Sequence, residues 1–139
     1  MSSTNLAEHL EYYLGIDVSK QVLDCWLRPL GEWMQCSNTP AGFAELTEWL
    51  RACGAAPEHT IVFLENTGIY DDRLLAALTE AGWRCSVEKT TVLDKVTFEH
   101  HRKEDAYDAA HLAEYADRFA DKLSVWTPNA ADWLPNKQP

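Results

Sequence analysis

YYLGIDV, residues 12–18, is apolar almost without a break until Asp17. Such a run suits a strand covered on both faces at the centre of a sheet, with a carboxylate at its C-terminal end. Working outward, QVLDCWLRPL (21–30) alternates, Pro29-Leu30-Gly31-Glu32 makes a turn, and EWMQCSN (32–38) can return, so a three-strand meander is expected. In NTPAGFAELTEWLRACG (38–54), Thr39 is a candidate N-cap and Pro40 fits a first helical turn. Phe43, Leu46, Trp49 and Leu50 keep helical spacing, and Gly54 is a stop. A second solid apolar run, TIVFLENTG (60–68), ends on Glu65. YDDRLLAALTEAG (70–82) reads as a helix with Asp71 and Asp72 in its first turn and Gly82 at its C-cap, and WRCSVEK (83–89) as a short strand. That β, α, β order implies parallel pairing through a right-handed crossover. TTVLDKVTFEHHR (90–102) reads as helical or irregular.

With 139 residues, 46% of them hydrophobic, and six tryptophans, the chain suits one packed domain. Residues 1–11 read as a lead-in, 12–123 as the domain, and 124–139, with three prolines, as a linker-like tail. Trp26, Trp33, Trp49 and Trp83 are expected in the core, and Trp126 and Trp133 against a further domain or a partner subunit. A net charge of −10 speaks against a stand-alone nucleic-acid binder, since phosphate contacts need Lys and Arg. Cys25, Cys36, Cys53 and Cys85 show no zinc-type spacing and read as buried thiols of a reducing compartment. No apolar run approaches eighteen residues and the start is not leader-like, so a soluble, cytoplasmic protein without membrane contact is expected.

KEDAYDAAHLAEYA (103–116) places Asp105, Asp108, Leu112, Tyr115, Ala116 and Phe119 on one narrow helical face, with Glu114, Asp117 and Arg118 pointing elsewhere. Two aspartates thus extend an apolar stripe, which is costly unless the helix starts at a solvated edge or a cation belongs there. Asp17 and Glu65 each end a strand, and parallel neighbours bring such ends to one edge, where ligand sites gather. If the helix packs over that edge, four carboxylates converge, and hard divalent cations, Mg²⁺ or Mn²⁺, suit them. A pair of such ions about 4 Å apart serves phosphodiester cleavage. Each acid also has a plainer role open to it: Asp17 closing a turn, Glu65 capping a helix, Asp105 favoured by a helix dipole.

GIDVSK (15–20), LENTGIY (64–70) and RKEDAYDAAHLAEYA (102–116), in this order, resemble the N-terminal RuvC-like domain of DEDD transposases of the insertion-sequence one-ten family, which includes the Piv-type DNA invertases. GFAELTEWL (42–50) and ADRFADKLSVWTP (116–128) are similar too, so the resemblance covers roughly residues 12–128. It implies an α/β, RNase H-like (RuvC-like) three-layer fold: a mixed central sheet flanked by helices, with Asp17 on the first strand, Glu65 on the fourth, and Asp105 and Asp108 on a late helix. It also implies that these four acids bind Mg²⁺ for DNA strand cleavage and exchange, with DNA, a guide (bridge) RNA and homo-oligomeric copies as partners. Lys20, His101, Arg102 and Lys103 are then the candidate nucleic-acid contacts. The family's second, serine-bearing domain has no counterpart in this sequence, and Ser19 reads as a turn hydroxyl. Alternatives are a truncated remnant serving as a non-catalytic assembly or regulatory module, and half of an actin-like ATP phosphotransferase, although DVSKQVLD lacks the glycines of a phosphate loop.

Overall fold

A computed structural model describes residues 9–66, 68–88 and 105–128. The meander forms as the turn residues dictate: β1 (Tyr12–Val18), β2 (Val22–Arg28) and β3 (Glu32–Ser37) pair antiparallel in succession. β4 (Thr60–Glu65) lies parallel to β1 on its other side, and β5 (Arg84–Glu88) lies parallel to β4, so the sheet order is β3-β2-β1-β4-β5. β1 is therefore the central strand, with the equally apolar β4 beside it. The helices are α1 (Pro40–Ala52), α2 (Asp72–Glu80) and α3 (Asp105–Arg118).

Period-two alternation divides the sheet's two faces. Leu14, Ile16, Leu23, Cys25, Val62 and Leu64 meet Phe43, Leu46 and Leu50 of α1 and Leu74, Leu75 and Leu78 of α2 in one buried cluster. On the other face, Ile61 and Phe63 meet Leu112, Tyr115 and Ala116 of α3. The layers are thus helices, sheet, helix, the mixed-sheet arrangement expected above.

Local chemistry sets the ends of the helices. Thr39 caps α1, its Oγ1 accepting from the Gly42 N–H at 3.2 Å. A 3-10 turn, Gly68–Asp71, leads into α2, and Gly82, at φ 96°, takes the left-handed conformation that ends it. Asp71, expected in the first turn of this helix, stands at the position just before it and is buried to 2% exposure.

Two tryptophans differ from expectation. Trp33 is 44% exposed because it lies on the outermost strand β3, opposite Trp26. Trp126 does not lead away from the domain: its N–H donates to the Cys85 carbonyl at 2.6 Å and its side chain packs on the α1/α2 cluster. The expected thiols are present, with Cys25, Cys36 and Cys85 buried, Cys53 half-buried, and none in a disulfide. Among the described residues no helix is long and apolar enough to cross a membrane. Residues 90–102, expected to be helical or irregular, and Trp133 lie outside the described residues.

The helix–strand contact between α3 and β1 depends on Gly15. A Cβ there would come within 3.0 Å of the Ala109 carbonyl oxygen, the Ala113 amide nitrogen and Leu112 Cβ. Two of those atoms belong to helix backbone and cannot rotate aside. Gly15→Ala is expected to cost about 3 kcal/mol, the upper range for overpacking, measured as a lower urea midpoint. Burial also pushes the Cys85 thiol up to about 12. An unfolded chain loses that proton from about pH 8.5 while the folded chain keeps it, so stability should fall as pH rises from there toward 12, by at most about 1.4 kcal/mol per pH unit. Urea unfolding at both ends of that window should show the decline, and Cys85→Ala should make it shallower.

Candidate active site

Backbone register aligns the strand-terminal acids. Ile16 pairs with Leu64, so one step further Asp17 stands beside Glu65. Glu65 in turn pairs with Glu88, and Asp17 pairs with Asp24 on its other flank. Laterally paired residues share a sheet face, and neighbouring strands lie about 4.8 Å apart. Asp24, Asp17, Glu65 and Glu88 therefore form a row of four carboxylates across β2, β1, β4 and β5. The row lies on the α3 face, because Gly15 and Phe63, two residues before Asp17 and Glu65, both contact that helix.

Each member of the row has its own surroundings. Asp24 is only 8% exposed, and Gln35 Nε2 on β3 donates to its Oδ1 at 2.8 Å. Asp17, Glu65 and Glu88 are half-buried at the strand ends. Burial first, and then the Glu88 charge, push the Tyr115 hydroxyl up, which places Glu88 within electrostatic reach of α3. Sequence reasoning missed Asp24 and Glu88. The signal for Glu88 was present: WRCSVE ends on a carboxylate just as YYLGID and TIVFLE do. Asp24 gave no comparable sign, because its neighbour is set by hairpin register.

Three contacts fix how α3 lies. Gly15 touches its Ala109–Ala113 turn, while Arg28, paired with Tyr13 further back along the sheet, donates from Nε to Asp117 Oδ2 at 2.7 Å. Tyr115 stacks on Phe63 with ring centroids 5.0 Å apart. α3 thus runs antiparallel to β1, and its first turn, with Asp105 and Asp108, lies at the sheet edge that carries Asp17 and Glu65. Along the helix, Tyr115, Leu112 and Asp108 form one row, with Tyr115 over Phe63 and Asp108 at the end toward Glu65.

Some expectations need correction. The Asp108 side chain is exposed rather than buried, because the apolar contacts of α3 end at Ala109 and Leu112, over Gly15. Glu114, expected to point away from the packed face, is 8% exposed and pairs with Arg118 at 3.6 Å. Lys20 is exposed in the β1–β2 turn. There the Ser19 hydroxyl donates to the Val22 carbonyl at 2.9 Å, as a turn residue would. His101, Arg102, Lys103 and the Asp105 side chain lie outside the described residues. Among the described residues no three His, Cys, Asp or Glu side chains gather closely enough to hold a metal ion, so the carboxylates stand side by side along the edge.

The family model described as Transposase, that of the IS110 DEDD group, matches residues 14–134. The pilin gene-inverting proteins of Moraxella lacunata and Moraxella bovis are each 27% identical over 128 residues, covering 85% of this chain and 37% of their own length. This chain thus spans little more than a third of the curated relatives it matches. Among solved structures, Thermus thermophilus RuvC in complex with a Holliday junction substrate superposes with a TM-score of 0.57 at 13% identity, over 85% of this chain and 100% of RuvC. A second RuvC structure from the same organism gives 0.55 at 14% identity, over 84% and 100%. At that identity the likeness speaks for the fold, which is RNase H-like. With most of its length matched by the family model, the chain belongs to the DEDD transposases of the IS110 group.

Proposed function

We propose that this chain is a metal-dependent DNA strand-cleaving and strand-transferring domain of a transposase or site-specific recombinase. The observation that carries the reading is the side-by-side placement of Asp17 and Glu65 at the sheet edge, beneath the helical turn that bears Asp105 and Asp108. The names of the relatives support it, since the curated proteins invert a gene and the structural neighbour was solved on a junction substrate. The chain's family is not that of an ATP phosphotransferase, which removes the observation needed for the actin-like alternative.

The residues present fit a hard divalent cation. Their donors are carboxylate oxygens only, while the buried thiols Cys25, Cys36 and Cys85 lie on the opposite sheet face. Asp17, Glu65, Asp105 and Asp108 would hold Mg²⁺ or Mn²⁺, which when bound supplies Lewis-acid activation of a phosphodiester. Glu88 and Asp24 add charge on either flank, and Gln35 fixes the Asp24 carboxylate in place. Lys20, at the β1–β2 turn, and His101, Arg102 and Lys103, just before α3, are the proposed phosphate contacts. Homo-oligomeric assembly and a guide RNA belong to the same reading on family resemblance alone. So do the 12–123 catalytic unit and its dependence on a serine-bearing second domain for strand exchange.

Calorimetric titration with Mg²⁺ and Mn²⁺, paired with thermal melting, tests the reading. At a metal concentration 100 times Kd the folded state should gain about 2.7 kcal/mol, a rise on the order of 10 °C in Tm. In Asp17→Asn that rise should disappear, while the metal-free protein should be no less stable than wild type. The variant removes like-charge repulsion from Asp24 and Glu65, worth about 1 kcal/mol at this spacing. Unchanged metal affinity in Asp17→Asn would contradict the assignment, and absence of binding would favour the non-catalytic assembly module.

A further inference from the structure

At the sheet edge that carries the acid row, but on the α2 face, lies a cavity of about 340 Å³ between β5, the start of α2 and the returning segment at Trp126. That volume falls in the range of small-ligand sites, ~300–1,000 Å³. Leu75, Val87 and Trp126 give it apolar walls, and Asp71 and Asp72 bring carboxylates to it and Asn66 a carboxamide, with Glu88, whose side chain belongs to the α3 face, at its border. Trp126 is a fixed wall, because its N–H is bonded to the Cys85 carbonyl and its side chain also packs on the core. Asn66 is anchored too, its N–H donating to the Glu88 carbonyl at 2.8 Å. Since Asn66 directly follows Glu65, the cavity begins about 3.8 Å along the chain from the acid row.

This lining selects its ligand. Among the described residues it contains no Lys or Arg, and its carboxylates repel a phosphate. An aromatic wall with aliphatic neighbours suits a flat ring, and ionised carboxylates accept hydrogen bonds without donating any. A ring edge that meets the Asp72 carboxylate must therefore carry adjacent donors. Guanine does, with N1–H beside its exocyclic amine, which can meet one carboxylate in a bidentate pair. Thymine offers a single N3–H flanked by two carbonyl oxygens that a carboxylate repels. We propose that the cavity receives an unpaired base, guanine by preference, from the nucleic-acid strand whose backbone lies at the acid row. The inference rests on the metal-dependent DNA reading only in taking that strand as the source of the base.

Free nucleosides test the cavity without metal or strand. In EDTA, 2′-deoxyguanosine should move the Trp126 indole N–H resonance of the 139-residue chain to saturation, and thymidine should bind at least about fivefold more weakly. The variant Asp72→Asn should lose that discrimination while retaining the folded spectrum, since its side chain is exposed. An unshifted Trp126 resonance, or equal responses to the two nucleosides, would overturn the proposal. A larger response to N-acetylarginine amide would also overturn it and make the cavity a site for a protein guanidinium. Failure here with metal binding intact removes only the base pocket; failure of metal binding with the Trp126 shift intact removes only the metal reading.

Discussion

The approach of α3 to β1 at Gly15 sets the geometry of the whole C-terminal edge. Helix backbone comes to rest against strand backbone because that position has no Cβ and because Ala109 and Ala113 are small. Closeness alone would still allow the helix to slide or turn. The Arg28–Asp117 ion pair pins its far end over β2, and the Phe63–Tyr115 stack pins its rotation over β4. With slide and rotation fixed, the first turn of α3 has one place to be, over the strand ends that carry Asp17 and Glu65. The ion pair is about a third exposed on both sides and adds little stability by itself, so its value lies in direction.

A second constraint follows from parallel pairing. Once β1, β4 and β5 run together, carboxylates that each close a strand become lateral neighbours, and the hairpin adds Asp24 on the other flank. Four like charges about 4.8 Å apart store repulsion that a solvated edge reduces and a counter-ion removes. The sheet keeps that repulsion at one end, on the face opposite the larger hydrophobic cluster. A chain of net charge −10 thus concentrates part of its charge where a cation has reason to bind.

Much of this was legible in the sequence, for identifiable reasons. β1 and β4 declared themselves as unbroken apolar runs, α1 through Thr39, Pro40 and its helical spacing, and Asp17 and Glu65 by ending their strands. What the sequence hid depends on partners distant along the chain. Register, which no local pattern encodes, made Asp24 and Glu88 neighbours of the predicted acids. Helical periodicity put Asp108 on the packed face but could not show that the apolar contacts of that face end at Ala109, leaving Asp108 exposed. Prolines after Val125 suggested departure from the domain, whereas a single backbone hydrogen bond to Cys85 returns Trp126 to it. Trp33 resembled Trp83 in pattern, but Trp83 is packed in the α1/α2 cluster while Trp33, on β3, is left 44% exposed.

The central claim is that the ends of β1 and β4 and the first turn of α3 act together as one cation site. Paramagnetic broadening of backbone amide resonances by substoichiometric Mn²⁺ reads this directly, because its effect falls steeply with distance from the ion. The account predicts that the strongest broadening falls together on residues around Asp17, Glu65 and Asp108. Broadening centred on the opposite sheet end, around Glu11, Glu58 and His59, or spread evenly over the exposed acids, would contradict it.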